Sequence, residues 1–273
     1  MSGVLLSFGH GYTAQALARR LAGWKIIGTH RDRDVIWPGT DMRPFLDQAT
    51  HLLISAAPGP DGDPVLGALR DEIAARAGGF EWVGYLSTTG VYGDRGGDWV
   101  DETSPLRPST RRGQARVVAE AAWQSIEDLP LHIFRLAGIY GPGRGPFAKV
   151  RAGTARRIIK PGQVFSRTHV DDIATVLRAS MKRPDPGAIY NVCDNDPQPP
   201  EVVIEEAARL LGVPVPAPEA FESAAMTPMA RSFYAESKRV SNRRIREELG
   251  VELAYPDYRS GLRSVLAAEG SDN

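Results

Sequence analysis

A short apolar run, Val4-Leu5-Leu6-Ser7-Phe8, stops on a glycine and continues as Gly9-His10-Gly11-Tyr12-Thr13-Ala14. This junction constrains the chain more than any other feature. The run has strand length, and residues 13–22 then place Ala16, Leu17 and Leu21 at helical spacing. Lys25-Ile26-Ile27-Gly28-Thr29 reads as a second strand, so the first forty residues or so spell a strand, a tight glycine turn, a helix and a strand. Two strands joined this way run parallel, and a parallel sheet needs helices on both faces to keep its backbone from water.

The same grammar repeats downstream. His51-Leu52-Leu53-Ile54-Ser55-Ala56 is a buried-type strand, followed by a Pro/Gly/Asp loop over 58–64 and a helix over 65–77. Residues 81–87 form another strand, 110–124 a helix, and Leu131-His132-Ile133-Phe134-Arg135-Leu136 a further strand. After Tyr140-Gly141-Pro142-Gly143 the alternation weakens, although 172–181 reads as helix and 188–192 as strand. Prolines 184, 186, 197, 199 and 200 then mark a change of character. The expected fold class is α/β, a Rossmann-type doubly wound parallel sheet over residues 1–192. Residues 193–273 should form a smaller C-terminal lid of helices at 201–211, 242–249 and 258–268, without an independent core, and residues 143–168 should contribute to a substrate cleft.

The glycine turn has a chemical reading. Gly9 permits the tight turn, Gly11 lets backbone approach a pyrophosphate, and Ala14 is small enough for helix and strand to pack. The helix start, with His10, Tyr12 and Thr13, would turn backbone N–H groups toward phosphate oxygens. About twenty residues on, an acidic side chain would accept from an adenosine ribose, whereas a basic one would favour a 2′-phosphate. The second strand ends Thr29-His30-Arg31, and Arg31 with the Thr29 hydroxyl suits a phosphate. Asp32 follows and keeps the other reading open. The expected cofactor is NADP, with NAD as the alternative.

Charge and composition exclude other classes. The 33 Lys+Arg and 33 Asp+Glu cancel, which argues against a nucleic-acid partner. No apolar run reaches the length of a membrane span, and the one cysteine, Cys193, has no partner for a disulfide or a metal site. With no charged region leading into an apolar stretch at the N-terminus, the expected location is cytoplasmic. No metal is expected.

Four further segments sharpen the fold. Tyr85-Leu86-Ser87-Thr88-Thr89-Gly90-Val91-Tyr92-Gly93, Arg135 to Arg144, His169-Val170-Asp171-Asp172-Ile173-Ala174 and Ile189-Tyr190-Asn191-Val192 occur in the order of a known family's motifs. The chain resembles the extended short-chain dehydrogenases/reductases, the NAD(P)-dependent sugar epimerase/dehydratase family. The resemblance covers residues from about 4 to 192. It implies that Thr88 holds a substrate oxygen, although a strand-end threonine can equally tie up a loose backbone group. It also implies that Ser55, Ala56 and Ala57 let the backbone come close to adenine and ribose, unless they are only a tightly packed strand end.

The departure from the family is equally specific. Members open the helix at 110–124 with a Tyr-x-x-x-Lys dyad, the tyrosine serving as general acid/base. Aligned on Glu120, the two positions here hold Arg112 and Arg116, and residues 104–122 contain no tyrosine. Arginine does not give up its proton near neutral pH, so Arg112 cannot take the tyrosine's part, while Arg116 could still contact ribose or phosphate. The chain is an atypical member on this resemblance. Any catalytic proton would come from Tyr140 or His169; otherwise Tyr140 is a packing residue and His169 a cap.

The remaining charged residues have bland readings. Asp171 and Asp172 are expected to cap a helix. Arg111, Arg112, Arg116, Arg144, Arg156, Arg157 and Arg167 could clamp an anionic small-molecule substrate or be balanced by acids, and Lys238-Arg239 through Arg246 should be the exposed face of a late helix. The implied activity is epimerisation, dehydration or reduction at a carbonyl or hydroxyl carbon, as on a nucleotide sugar. The alternative is a non-catalytic NAD(P) sensor. Family members pair through the helices at 65–77 and 110–124, so a homodimer is an expectation.

Overall fold

The computed structural model describes residues 2–271. The first unit follows the apolar pattern closely: β1 (Val4–Phe8), α1 (Tyr12–Ala18) and β2 (Lys25–His30), with a two-residue β3 (Val35–Ile36) and a single turn α2 (Arg43–Leu46) after it. β4 (His51–Ile54), α3 (Pro64–Ala74) and β5 (Trp82–Thr88) continue the series, then β6 (Trp99–Val100), α4 (Arg111–Gln124) and β7 (Leu131–Leu136). Seven strands lie parallel, counting β11 (Ile189–Val192), in the order β11-β7-β5-β4-β1-β2-β3. The chain reverses its direction of growth between β1 and β4. Ligand crevices form at such a switch, beyond the carboxyl ends of the strands.

Each face of the sheet is covered. On one side Leu6, Phe8, Leu52, Ile54, Val83 and Tyr85 pack against Trp123 of α4 and Ile73 of α3. On the other, Leu5, Leu53, Trp82 and Phe134 meet α1 and α6 (Val170–Lys182), chiefly through Leu17, Ile173 and Leu177. Burial on both sides explains why β4, β5 and β7 read as continuous rather than alternating runs. Two helices are stopped by side chains the sequence displays. Asp63 accepts from the N–H groups of Val65 and Leu66 at 2.9 and 3.0 Å to cap α3, and its other oxygen accepts from Trp123 Nε1 at 3.1 Å. Thr110 caps α4 by accepting from Gly113 N at 3.1 Å.

The C-terminal elements differ from the expectation. The chain adds β8 (Gly138–Tyr140), α5 (Phe147–Arg151), β9 (Arg157–Ile159) and β10 (Arg167–His169) before α6. After β11 come α7 (Pro200–Leu211), β12 (Pro218–Ala220), α8 (Pro228–Phe233), β13 (Arg239–Val240), α9 (Arg243–Glu247) and α10 (Tyr258–Ser271). Helices α5, α7 and α10 bury Tyr140, Phe147, Val150, Ala207, Ala208, Tyr258, Leu262 and Val265 together, so the late helices do share a small core. Phe147 and Val150, from the segment before α6, supply the apolar surface those helices would otherwise lack. Conversely, Ile245 of α9 with Leu249 and Val251 returns to the main sheet's core. No described helix is long and apolar enough to cross a membrane.

Candidate functional site

The loop between β1 and α1 is held by backbone contacts. Gly9 N donates to Thr29 Oγ1 and His10 N to Thr29 O, both at 3.0 Å, while Ser55 N and Ala56 N both donate to Phe8 O. Gly9 stands at φ +78°, and a Cβ there would lie 2.9 Å from Ala56 N. Only glycine fits both the turn and the approach of the β4 end. A Cβ on Gly11 would meet nothing nearer than Gly9 O at 3.9 Å, and no side chain caps α1, whose first turn carries no acidic residue. Ala14 is fully buried, as its small size anticipated.

Thr29 takes a different role from the one its position suggested. It is 2 % exposed, and its hydroxyl braces Gly9 rather than pointing to where a phosphate would lie. Arg31 just beyond β2 is exposed, and next to it His30 Nε2 lies 3.3 Å from Asp34 while Arg33 Nε donates to His30 Nδ1 at 3.4 Å. The His10 ring packs on Gly28 and stands edge-on to His30 at 5.6 Å. Burial, followed by the charge of His30, lowers the His10 pKa. Tyr12 reaches across to donate to Pro142 O at 3.0 Å, with the Arg144 guanidinium over its ring at 5.5 Å. Thr13 is buried, Ser55 and Ala56 are half-buried and Ala57 is exposed at the same edge.

Thr88 ends β5, and its Oγ1 accepts from Gly90 N at 3.2 Å. Beside it lies a buried polar network. Ser87 Oγ donates to Glu120 of α4, Arg135 Nη2 donates to Glu120 Oε2 at 2.8 Å, and Arg135 Nη1 donates to the Tyr92 hydroxyl at 3.0 Å. Tyr92 in turn donates to Asn191 Oδ1 at 2.7 Å. Burial pushes the Tyr92 hydroxyl up to about 12. Both charged side chains of the Glu120–Arg135 pair are 3 % exposed, and each is multiply hydrogen-bonded, the condition under which a buried ion pair is tolerated. The network joins the signature strands β5, β7 and β11 to α4.

At the two dyad positions the outcome is split. Arg112 is exposed at the helix start, whereas Arg116 turns inward, donating to Leu86 O and, at 3.2 Å, to the Tyr85 hydroxyl. Its Nη1 is thus engaged by the strand. Tyr85 is fully buried in the core, and burial pushes its hydroxyl up to about 12.

Tyr140 and His169 come together, edge-to-face at 5.3 Å. His169 is the cap of α6, as its non-catalytic reading expected, and the aspartates expected to share that part do not cap the helix. The His169 Nδ1 accepts from Asp171 N at 3.2 Å, so the proton of the neutral ring sits on Nε2, which has no partner. Burial lowers its pKa, and Tyr255 covers its other side at 4.0 Å. Tyr140 is 9 % exposed with its hydroxyl unpartnered and its pKa raised strongly by burial. Gly261 of α10 leaves room for that hydroxyl, since a Cβ there would fall on it. Asp172 accepts from Ala254 N and Tyr255 N at 2.8 and 3.0 Å, tying α6 to the chain before α10.

The arginines after β7 do not converge. Arg156 pairs with Glu219, Arg157 with Glu205 at 2.6 Å, and Arg167 donates to Phe165 O and Gln198 O. Sequence reasoning missed Lys238, which is not on a helix face. It is 8 % exposed and donates to Gly93 O at 2.8 Å and to Glu236 at 2.6 Å. Ser109 Oγ donates to Glu236 Oε1, and Val164 N to Ser237 Oγ, so residues 236–238 clasp the loops after β5 and β9. The one available sign was a lysine two residues from a glutamate, at the edge of the basic run expected to form a helix face.

The same fold is found in a solved protein from Methylobacillus flagellatus described as a putative NAD-dependent epimerase/dehydratase, 25% identical with a TM-score of 0.72, over 98% of this chain and 99% of its own. A functionally unknown conserved protein from Silicibacter pomeroyi is far nearer, 61% identical with a TM-score of 0.93 over 97% of this chain and 98% of its own, and the chain belongs to that protein's family. Protein YeeZ of Escherichia coli K12 is 28% identical over 274 residues, covering 91% of this chain and 95% of YeeZ. No family model matches the sequence.

Proposed function

We propose that this protein binds NADP, with NAD as the alternative, and acts on a carbonyl or hydroxyl carbon of a small, nucleotide-sugar-like substrate. The observation that carries the reading is the β1–α1 loop. Its glycine cannot be replaced, its helix start is uncapped, and a Cβ would fill the space over Gly11. That cradle fits a pyrophosphate held by backbone N–H groups of residues 12–14, Gly11 N being spent on Gly9 O at 2.7 Å, with Ser55, Ala56 and Ala57 beside the ribose and Arg31 toward a 2′-phosphate. Solved proteins of the same fold, at 17% and 20% identity, bear on both cofactors: human SDR39U1 with NADPH, TM-score 0.78, and MoeE5 with UDP-glucuronic acid and NAD, TM-score 0.79.

A bound nicotinamide would supply or remove a hydride. The chain's own part is to hold the substrate oxygen, for which Thr88 Oγ1 is the group at the end of the central strand, its hydrogen free to be donated while it accepts from Gly90 N. Tyr140 and His169 are the candidates for moving a proton, but burial shifts both toward their neutral forms, and at His169 it outweighs the Asp171 carboxylate 3.8 Å from Nδ1. Their arrangement favours packing and capping. The second reading, a non-catalytic NAD(P) sensor, draws on Arg112 and Arg116 standing where the acid/base dyad would be.

The test is a titration with NADPH and NADH followed by cofactor fluorescence. Arg31→Asp should weaken NADPH about tenfold, about 1.4 kcal/mol, with NADH affinity little changed. Failure of either nucleotide to bind overturns the proposal. Turnover of bound NADPH with any carbonyl substrate, lost in Thr88→Val, separates the enzyme from the sensor.

A further inference from the structure

A second concavity lies at the other end of α1 from the glycine loop. It has a volume of about 280 Å³ and is lined by Arg20, Arg178, Lys182 and Arg183, with Thr175, Gly250 and Glu252. The cations come from separate stretches of chain: Arg20 follows α1, Arg178 and Lys182 lie on α6, and Arg183 ends that helix. Gly250 and Glu252, in the connection after α9, form the opposite wall.

The charge is not balanced locally. In a chain whose acids and bases cancel overall, four cations here face the single carboxylate of Glu252. Among the described residues, Arg178, Lys182 and Arg183 take no ion pair, and Arg20 reaches only Asp171, at 3.9 Å. Arg178 and Lys182 stand four residues apart, where like charges destabilise a helix. The dipole of α6 accounts for Lys182 and Arg183 at its C-terminal end, and that of α1 for Arg20 just past its C-cap, but neither accounts for Arg178 or for the meeting of both helix ends in one concavity.

We propose that this pocket binds a small phosphate-bearing polyanion, of the size of a diphosphate or a phosphorylated metabolite. Guanidinium groups from two directions can take phosphate oxygens in pairs while Lys182 adds a point charge. The volume suits a small ligand. The site is separate from the dinucleotide loop, so its occupancy does not depend on the cofactor.

Inorganic pyrophosphate titrated into the full chain by calorimetry at physiological ionic strength is the test, with NADPH in excess to fill the glycine loop. Saturable binding should weaken at least tenfold in the Arg178→Glu/Lys182→Glu double variant while NADPH affinity stays unchanged. Absence of saturable binding, or equal binding by the variant, overturns the proposal. If NADPH itself does not bind, the same pair of proteins is compared without it. Thermal melts give a second reading: both residues are exposed, so the variant should stay folded with a midpoint only slightly lowered by the acids at the C-terminal end of α6, and pyrophosphate should raise the midpoint of the parent alone. An equal rise in both overturns the proposal.

Discussion

The loop between β1 and α1 and the start of α4 stand at the same carboxyl edge of the sheet, yet they are built in opposite ways. The loop is positioned by backbone: Gly9, His10, Ser55 and Ala56 N–H groups bond to Thr29 and Phe8. The other region is positioned by charged side chains, Glu120 and Arg135 with Ser87 and Tyr92, and by Arg116 turned onto β5. A backbone-built site presents N–H groups outward and depends on glycine. A side-chain-built one satisfies its polar groups inward, so it can be rigid without offering a reactive group to the cleft.

The largest test of that contrast is Glu120→Ala. Both partners are 3 % exposed, and leaving Arg135 buried and unpaired should cost about 3–5 kcal/mol in urea denaturation. A loss under 1 kcal/mol would mean that the network is not what holds α4 to the sheet. Gly9→Ala comes next. Its φ of +78° and the 2.9 Å approach to Ala56 should cost about 1–3 kcal/mol and reduce dinucleotide affinity at least tenfold. Unchanged affinity would remove the backbone argument.

Tyr140→Phe should do little. Deleting an unpartnered buried hydroxyl is expected to leave stability within about 1 kcal/mol and dinucleotide binding unchanged. A loss of turnover on an identified substrate, with binding intact, would restore Tyr140 as the proton donor and blur the distinction between the two regions.

Stability should also depend on pH. His169, His51 and His132 have folded pKa values lowered from 6.5, chiefly by burial. Their contribution is complete above 6.5 and is lost as pH falls from there toward their folded values. Asp194 behaves in the opposite sense. Burial raises it from 3.8 to about 8, so its contribution is complete below 3.8 and is lost as pH rises through about 8. In chemical denaturation at pH 5, 7 and 9, about two units apart, Asp194→Asn should remove a loss that runs from 3.8 to about 8, flattening the alkaline limb and steepening the acid one, where the histidines then act unopposed. An unaltered alkaline limb in that variant would contradict the assignment.

Much of this arrangement is legible in the sequence because long buried strands announce themselves. β1 and β7 occupy Val4–Phe8 and Leu131–Leu136 as their apolar runs indicate, and Thr110 and Asp63 sit where helix caps belong. The glycine loop was readable for the same reason: it is local, and its neighbours in space follow from strand order. The short strands β8, β9, β10, β12 and β13 were not readable, since two or three residues carry no period. Nor was the burial of Lys238, whose partner Gly93 lies 145 positions away.

By itself, the sequence determined a parallel doubly wound sheet, the place of the glycine loop and the absence of any tyrosine from residues 104–122. Those are matters of local pattern, and local pattern is what hydrophobic periodicity and glycine encode. Only the tertiary structure decided that Thr29 braces Gly9, that Arg116 faces inward, that His169 and Tyr140 are packed against α10, and that four cations from separate elements meet in one pocket. Each depends on where a side chain finds its hydrogen-bond partner or its burial, and those neighbours are distant in the chain, as Gly261 is from Tyr140 and Glu252 from Arg20.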